Sequence, residues 1–324
     1  MTGVWREGDV PGGSTRYFVR ALGDLDPLAP PGPDEDAAPL AVLLHGWPQD
    51  GSSWARVAPL LVDAGYRVAC PDLKGFGRSE APRRGYDPAT LADELSQLIR
   101  ELGARKAVLV GHDWGGAVAL ATAFRHPGRV RALVTVSSPF RQLDLTASWH
   151  IPLLNLPIAP EVAFKLAAGP LTRIVFRHAA EDRTVFDDES LARYASAVAR
   201  APRGWLSYYR QLSRRAVVDW GVRRVRRVVP VLADPEGPHR LRVPAVVVWG
   251  EADPVTPYHL AVRVAHDLDA DLVPVPGVGH FVHEEAPHAL VDAIHAVVAR
   301  VNADRPAGPN DRGWDQARRD RATT

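Results

Sequence analysis

Cysteine is nearly missing from these 324 residues: one, Cys70, stands in the apolar run YRVACPD. It cannot close an internal disulfide, which agrees with a reducing compartment, and it reads as a small buried strand residue. An excess of charge of either sign is missing as well. Lys plus Arg total 39 and Asp plus Glu 38, for a net charge of +1. Without a global field there is nothing to gather nucleic acid or an anionic membrane, so the expected partner is small and weakly charged. No uninterrupted apolar run reaches the roughly 18 residues that a membrane span needs. The start, MTGVWREGDVPGG, has no basic stretch leading into an apolar one and does not read as a secretory signal. The expectation is a soluble, cytoplasmic protein. Spaced Cys and His for zinc and the G-x-G-x-x-G of a dinucleotide loop are lacking too, so no metal and no organic cofactor is expected. No internal repeat is found.

What is present is alternation. Short apolar runs, LAVLLHG, YRVACPD, KAVLVGH and VRALVTVSS, are followed much later by PAVVVWGEAD and ADLVPVPGVGH. Runs of this length, rich in Val, Ala and Leu, suit strands covered on both faces of a parallel sheet. Between them, SSWARVAPLLVDAG, PATLADELSQLIRELG and GGAVALATAFRHPGRV carry apolar residues at helical spacing. The pattern predicts an α/β fold, a mostly parallel doubly wound sheet, with TRYFVRALG as an antiparallel edge strand. The alternation stops after Pro139, turns helical and Arg-rich, and returns to strand pattern at Val243. A helical block inserted between two strands of one sheet reads as a lid over their carboxyl ends, where open α/β sheets bind ligands. The expected organisation is a first core part over 1–142, a helical cap over 143–234, a second core part over 235–303 and a polar, disordered tail over 304–324.

The stretch LVGHDWGGAVAL, Leu109 to Leu120, has the outline of the strand, sharp turn and helix that present a catalytic serine, G-x-S-x-G, but its middle position is Asp113. Gly111 suits the tight turn, and Gly115 and Gly116 let the helix pack close behind it. The carboxylate then lies at a helix N-terminus, where free N–H groups stabilise the anion, and an ionised carboxylate is a modest nucleophile. Taken alone, Asp113 could equally be an ordinary N-cap. Other motifs favour chemistry. LLHGWPQD ends a strand in His-Gly-x-Pro, a turn that can aim the Trp47 amide at the elbow and pair it with the Trp114 amide as a two-donor oxyanion hole. Asp253, in VVVWGEADPVTP, follows a strand where a third catalytic residue fits. His280, in VPGVGHFVHEEAP, lies in a Gly-rich loop ahead of a helix that Glu284 and Glu285 are expected to start. Nucleophile, acid, histidine is an established triad order. Of the other histidines, His45 and His112 read as structural, and His126, His239, His259, His266, His283, His288 and His295 as surface or helix residues.

With HGWP at 45–48, GHDWGG at 111–116, GEAD at 250–253 and GVGHF at 277–281 in this order, the chain resembles the α/β-hydrolase superfamily. Within it, the resemblance is to the aspartate-nucleophile branch: the soluble epoxide hydrolases, with haloalkane and fluoroacetate dehalogenases as relatives. It covers roughly Arg16 to Ala299. It implies an α/β-hydrolase fold with a cap, and conversion of an epoxide to a vicinal diol through a covalent ester on Asp113, with His280, oriented by Asp253, activating water. It also implies two lid side chains that hydrogen-bond the epoxide oxygen. One maps to Tyr209 in WLSYYRQL; the other falls on His150 in ASWHIPLLNLPIAPE, where the family's epoxide hydrolases carry Tyr. Tyr208 and Trp149 are the neighbouring candidates for substrate contact, together with Trp47 and Trp114.

Dehalogenation on the same aspartate is the alternative. Trp114, directly after the nucleophile, is shared with haloalkane dehalogenases, but Trp47 stands where those enzymes usually carry Asn or Glu. Fluoroacetate dehalogenases usually have Arg in place of Trp114. A catalytically idle binding protein of the same fold is the second alternative; loss of a triad residue would mark it, and none is lost. A serine esterase is opposed by Asp113 itself. The expected partners are a small apolar epoxide and water, with no nucleic acid and no membrane, and both monomer and homodimer stay open.

Overall fold

The computed structural model describes residues 4–28, 38–140, 147–148, 150–211 and 241–303. One eight-stranded sheet organises them, built from β1 (Arg6–Gly12), β2 (Thr15–Leu22), β3 (Leu40–Leu44), β4 (Arg67–Pro71), β5 (Ala107–His112), β6 (Val130–Val136), β7 (Ala245–Gly250) and β8 (Asp271–Val275), in the order β1-β2-β4-β3-β5-β6-β7-β8. All pairings from β4 to β8 are parallel, whereas β2 runs antiparallel to both its neighbours. TRYFVRALG is therefore the antiparallel strand, but one place in from the edge, because β1 covers it. The sequence REGDVPG hides that strand: it is mostly exposed and carries Pro and Gly, which an edge strand tolerates and an inner one does not.

The central strands are buried on both faces, as their unbroken apolar runs require. Leu40, Val42 and Leu44 of β3, with Leu109, Leu133 and Val247, face one core together with α2 (Pro88–Glu101), α3 (Trp114–Arg125) and α9 (His259–Leu268). Ala41 and Leu43, with Val108, Val110, Val134 and Val248, face the other, against α1 (Ala58–Asp63) and α11 (Pro287–Ala303). Cys70 is buried in β4 as a packing residue.

Between β6 and β7 the chain forms α4 (His150–Leu154), α5 (Ala159–Leu166), α6 (Ala168–Ala179), α7 (Asp188–Arg200) and the helical residues 202–211, α8. This layer crosses the carboxyl ends of the parallel strands: Trp205 of α8 packs on Trp47, just beyond β3, at 5.6 Å between ring centroids. The expected limits of the cap at 142/143 and 234/235, Trp149, and the segment 304–324 lie outside the described residues. Among the described residues no helix is long and apolar enough to cross a membrane.

Candidate active site

At the end of β5 the backbone turns so sharply that Asp113 adopts φ 48° and ψ −118°. A non-glycine residue held there costs about 1–3 kcal/mol and persists only where its surroundings enforce it. They do: the Asp113 amide donates to the Val136 carbonyl at 3.1 Å, and its carbonyl accepts from Ser138 Oγ at 2.8 Å. A Cβ on Gly115 would strike the backbone carbonyls of Leu44 and His45, so α3 can start this close to β3 only with glycine. Although Asp113 stands at the N-cap of α3, its side chain makes no capping bond. Oδ2 instead accepts from the Trp47 amide at 3.0 Å, and the Trp114 amide also bonds the carboxylate. The two amides anticipated from HGWP and GHDW thus both bond the Asp113 carboxylate. Burial raises the Asp113 pKa, a shift opposed by His280 and by these two amides.

The turn that supplies Trp47 is held from behind. The His45 ring makes a 2.9 Å hydrogen bond to the Gly46 carbonyl through Nδ1, and Nε2 accepts from the Leu73 amide at 2.9 Å. Fully buried, His45 is pushed down to about 4 and stays neutral, a structural role.

Asp253 and His280, at the ends of β7 and β8, meet at 2.8 Å between Oδ2 and Nδ1. The Val255 and Thr256 amides bind Asp253 Oδ1 at 2.8 and 2.9 Å, and Thr256 Oγ1 binds Oδ2 at 2.6 Å, so the carboxylate is fixed before it meets the ring. The bond places the proton on Nδ1 and leaves Nε2 as the basic nitrogen. His280 is only 3% exposed. Burial pulls its pKa down, but Asp253, Asp113 and Glu285 overcome that and set it above the ordinary value.

A pocket opens over the elbow, lined by Asp113, Trp114, Ala117, Pro139, Ser148, His150, Ile151, Tyr209, Val255 and Thr256. Apolar walls with a few polar groups suit a small, weakly polar ligand. Tyr209, 3% exposed, packs edge-on to Trp114 at 5.0 Å, and the Trp114 side chain hydrogen-bonds its hydroxyl. Burial, then the charge of Asp113, raise the Tyr209 pKa well above 10.0, so the hydroxyl keeps its proton. His150 stacks on Trp47 at 6.1 Å and stands 6.3 Å from the Tyr209 ring. Burial, with His280 and His178, brings it down to about 4 and keeps it neutral. Tyr208 is placed differently: its hydroxyl donates to the Lys74 carbonyl at 3.1 Å and its ring contacts Phe76 and Tyr86, outside the pocket lining. Adjacent helical residues point about 100° apart, so only one of the two tyrosines can face the elbow.

Three features escaped the sequence. His283, read as a surface or helix residue, is fully buried, its ring 4.5 Å from His112. Glu284 is buried as well, where it accepts from Gln49 Nε2 and from the Tyr194 hydroxyl at 3.1 Å, and burial pushes it up to about 8. Glu284 and Glu285 end the short helix α10 (Val282–Glu285) instead of starting a new one. Nothing in HEEA separates a buried glutamate from a solvated one; only the polar partners brought in from Gln49 and Tyr194 do. Among the described residues no group of three or more His, Cys, Asp or Glu is arranged to hold a metal ion.

The family described as alpha/beta hydrolase fold matches residues 39–287. The soluble epoxide hydrolase of Corynebacterium sp. is 30% identical over 264 residues, spanning 78% of this chain and 87% of its own. Epoxide hydrolase A of Mycobacterium tuberculosis is 28% identical over 295 residues, 80% of this chain and 90% of its own. Among solved structures, Cfl2 from Burkholderia cenocepacia is similar at a TM-score of 0.73 and 23% identity over 91% of this chain and 99% of its own, a likeness of fold. The chain belongs to the α/β-hydrolase fold family, among its epoxide hydrolases.

Proposed function

We propose that this protein hydrolyses an epoxide to a vicinal diol in two covalent steps on Asp113. The observation that carries this reading is the state of that carboxylate: Oδ2 accepts from the Trp47 amide at 3.0 Å and the carboxylate takes a second bond from the Trp114 amide, so the anion is held in place at the pocket wall. An epoxide offers an sp³ carbon that needs backside displacement, which a carboxylate performs and from which it emerges as the acyl half of an ester.

In the first step a lone pair of the Asp113 carboxylate forms the bond to an oxirane carbon, and the ring C–O bond breaks onto oxygen. Tyr209 gives that oxygen its proton, with His150 as a second hydrogen-bond donor. In the second step His280 Nε2 takes a proton from water as the water oxygen attacks the Asp113 carboxyl carbon. The Trp47 and Trp114 amides, already bonded to the carboxylate, hold the oxyanion, a stabilisation worth about 2.7–4 kcal/mol per donor in other enzymes. Collapse breaks the ester C–O bond, the remaining proton of the attacking water passes to the leaving diol oxygen, the carboxylate is restored, and after the diol is expelled the proton held by His280 returns to Tyr209. The charges favour this order. While Asp113 is ionised it supports protonated His280; esterification removes that charge and frees the imidazole as a base when hydrolysis needs it. Dehalogenation by the same aspartate is less well served, because the Trp114 indole donor is engaged by Tyr209.

His280→Gln, incubated with styrene oxide, should accumulate protein heavier by one substrate molecule, located on the Asp113 peptide, while wild type with a chloroalkane should release no halide. A variant that turns over normally and never carries the adduct contradicts the proposal.

A further inference from the structure

We infer that Glu285 is a positioning residue for the base: its carboxylate clasps the backbone on both sides of His280 and, in the same grip, the turn between α6 and α7 of the cap. The inference rests on the two-step reading above. Oε2 accepts from the Gly279 amide at 3.1 Å, Oε1 from the Phe281 amide at 3.2 Å, and Oε2 also from the Glu181 and Asp182 amides at 2.9 Å each. Four backbone donors on one carboxylate tie residues 279 and 281 to residues 181 and 182. The amide of His280 itself donates to the Ala179 carbonyl, the last residue of α6, at 2.9 Å.

The neighbours of His280 are bound into the same corner by packing. Phe281 is fully buried and stacks on Phe176 of α6 at 4.5 Å, with Phe186 5.5 Å away, in a cluster that also holds Ala179 and Tyr194. A Cβ on Gly279 would come within 2.6 Å of the Ala179 carbonyl and the Glu181 amide, so the loop lies directly against the cap. Arg56, from the core, adds a bond to the Val185 carbonyl at 3.0 Å. Asp253 orients the ring of His280, but nothing in that pair fixes the loop that carries it. Glu285 does, and it couples the base to the seating of the cap.

Base placement matters only in the second step. A loosened His280 slows hydrolysis and spares alkylation, and kcat/KM contains binding and alkylation alone. Glu285→Gln cannot offer two acceptor oxygens, so it should lower kcat and KM together, by about 10- to 100-fold, leave kcat/KM near wild type, and accumulate the ester on Asp113. A fold defect would lower kcat with KM unchanged. The acid limb of ester hydrolysis should also move down, because a charge that supports protonated His280 is lost. Asp253, Asp113, His112, His150 and His283 also face that ring and are unchanged in the variant.

Styrene oxide with wild type, Glu285→Gln and His280→Gln separates the outcomes. Ester on Glu285→Gln with the joint fall in kcat and KM bears the inference out. Ester on His280→Gln but none on Glu285→Gln, or a fall in kcat/KM as large as that in kcat, overturns the role of Glu285 and leaves the two-step reading standing. Ester on neither variant overturns both. Should Glu285→Gln not fold, Glu285→Asp, one methylene short of the same grip, is read in the same way.

Discussion

Replacing Tyr209 by Phe isolates the first step. The ring stays between Trp114 at 5.0 Å, Trp47 at 6.1 Å and Trp205 at 6.3 Å, so packing survives and only the hydroxyl goes. In the resting protein that hydroxyl accepts from the Trp114 side chain, a neutral bond whose loss costs about 1 kcal/mol of stability. In the ring-opening transition state it faces a developing alkoxide, and a hydrogen bond to a charged group contributes about 1.5–3 kcal/mol. The Trp114 bond uses the hydroxyl oxygen as acceptor and is made in both states, so it cancels, and the charged bond alone sets the kinetic effect at about 10- to 150-fold on alkylation, with His150 still in place as second donor. Rapid-quench single turnovers with styrene oxide measure it as the rate of ester formation. Decay of the ester formed in the same experiment should keep its wild-type rate, since Tyr209 has no part in hydrolysis. Ester formation within about threefold of wild type would refute the assignment of Tyr209, as would a loss confined to ester decay.

Two further outcomes follow from the buried charges. His280 should titrate higher in the free enzyme than in the ester intermediate, because the negative charge of Asp113 supports the imidazolium only before alkylation. NMR titration of the free protein, compared with the pH dependence of ester decay, reads both values, and equal values contradict the charge coupling. Glu284 concerns stability. Burial raises its folded pKa from 4.5 to about 8, so the protonated form is favoured in the fold, its contribution is full below pH 4.5, and it is lost as the pH rises towards about 8. Glu284→Gln should therefore gain Tm relative to wild type between pH 5 and pH 8, by an amount corresponding to at most about 5 kcal/mol, and a constant difference across that range contradicts it.

The elbow, the oxyanion turn and the positions of Asp253 and His280 were legible because each sits where an apolar strand is cut off by Gly or Pro, and such junctions are local in sequence. Chain order then paired two residues that the fold brings to 2.8 Å. Tyr209 and His150 came from the resemblance alone, and the pocket lining holds them both. What stayed hidden depends on distant partners. β1 was missed because an exposed edge strand has no apolar signature. Glu94 looks like a solvated helix residue, yet it is buried and receives Lys74 Nζ at 2.8 Å, the Tyr17 hydroxyl at 2.9 Å and the Thr15 hydroxyl at 2.9 Å. Glu285 is read only after α6 and α7 have been folded against it. A buried carboxylate and a wet one are written with the same letter, and the donors that distinguish them lie 104 residues away for Glu181 and 103 for Asp182.

A single turnover of wild-type enzyme in ¹⁸O-water, with protein in excess over styrene oxide, tests the covalent claim most directly. The diol should carry unlabelled oxygen drawn from Asp113, and the peptide that contains Asp113 should take up the label from the water that cleaves the ester. Labelled diol from that first turnover, with an unlabelled Asp113 peptide, would mean that water attacks the epoxide directly and that the aspartate forms no bond to it.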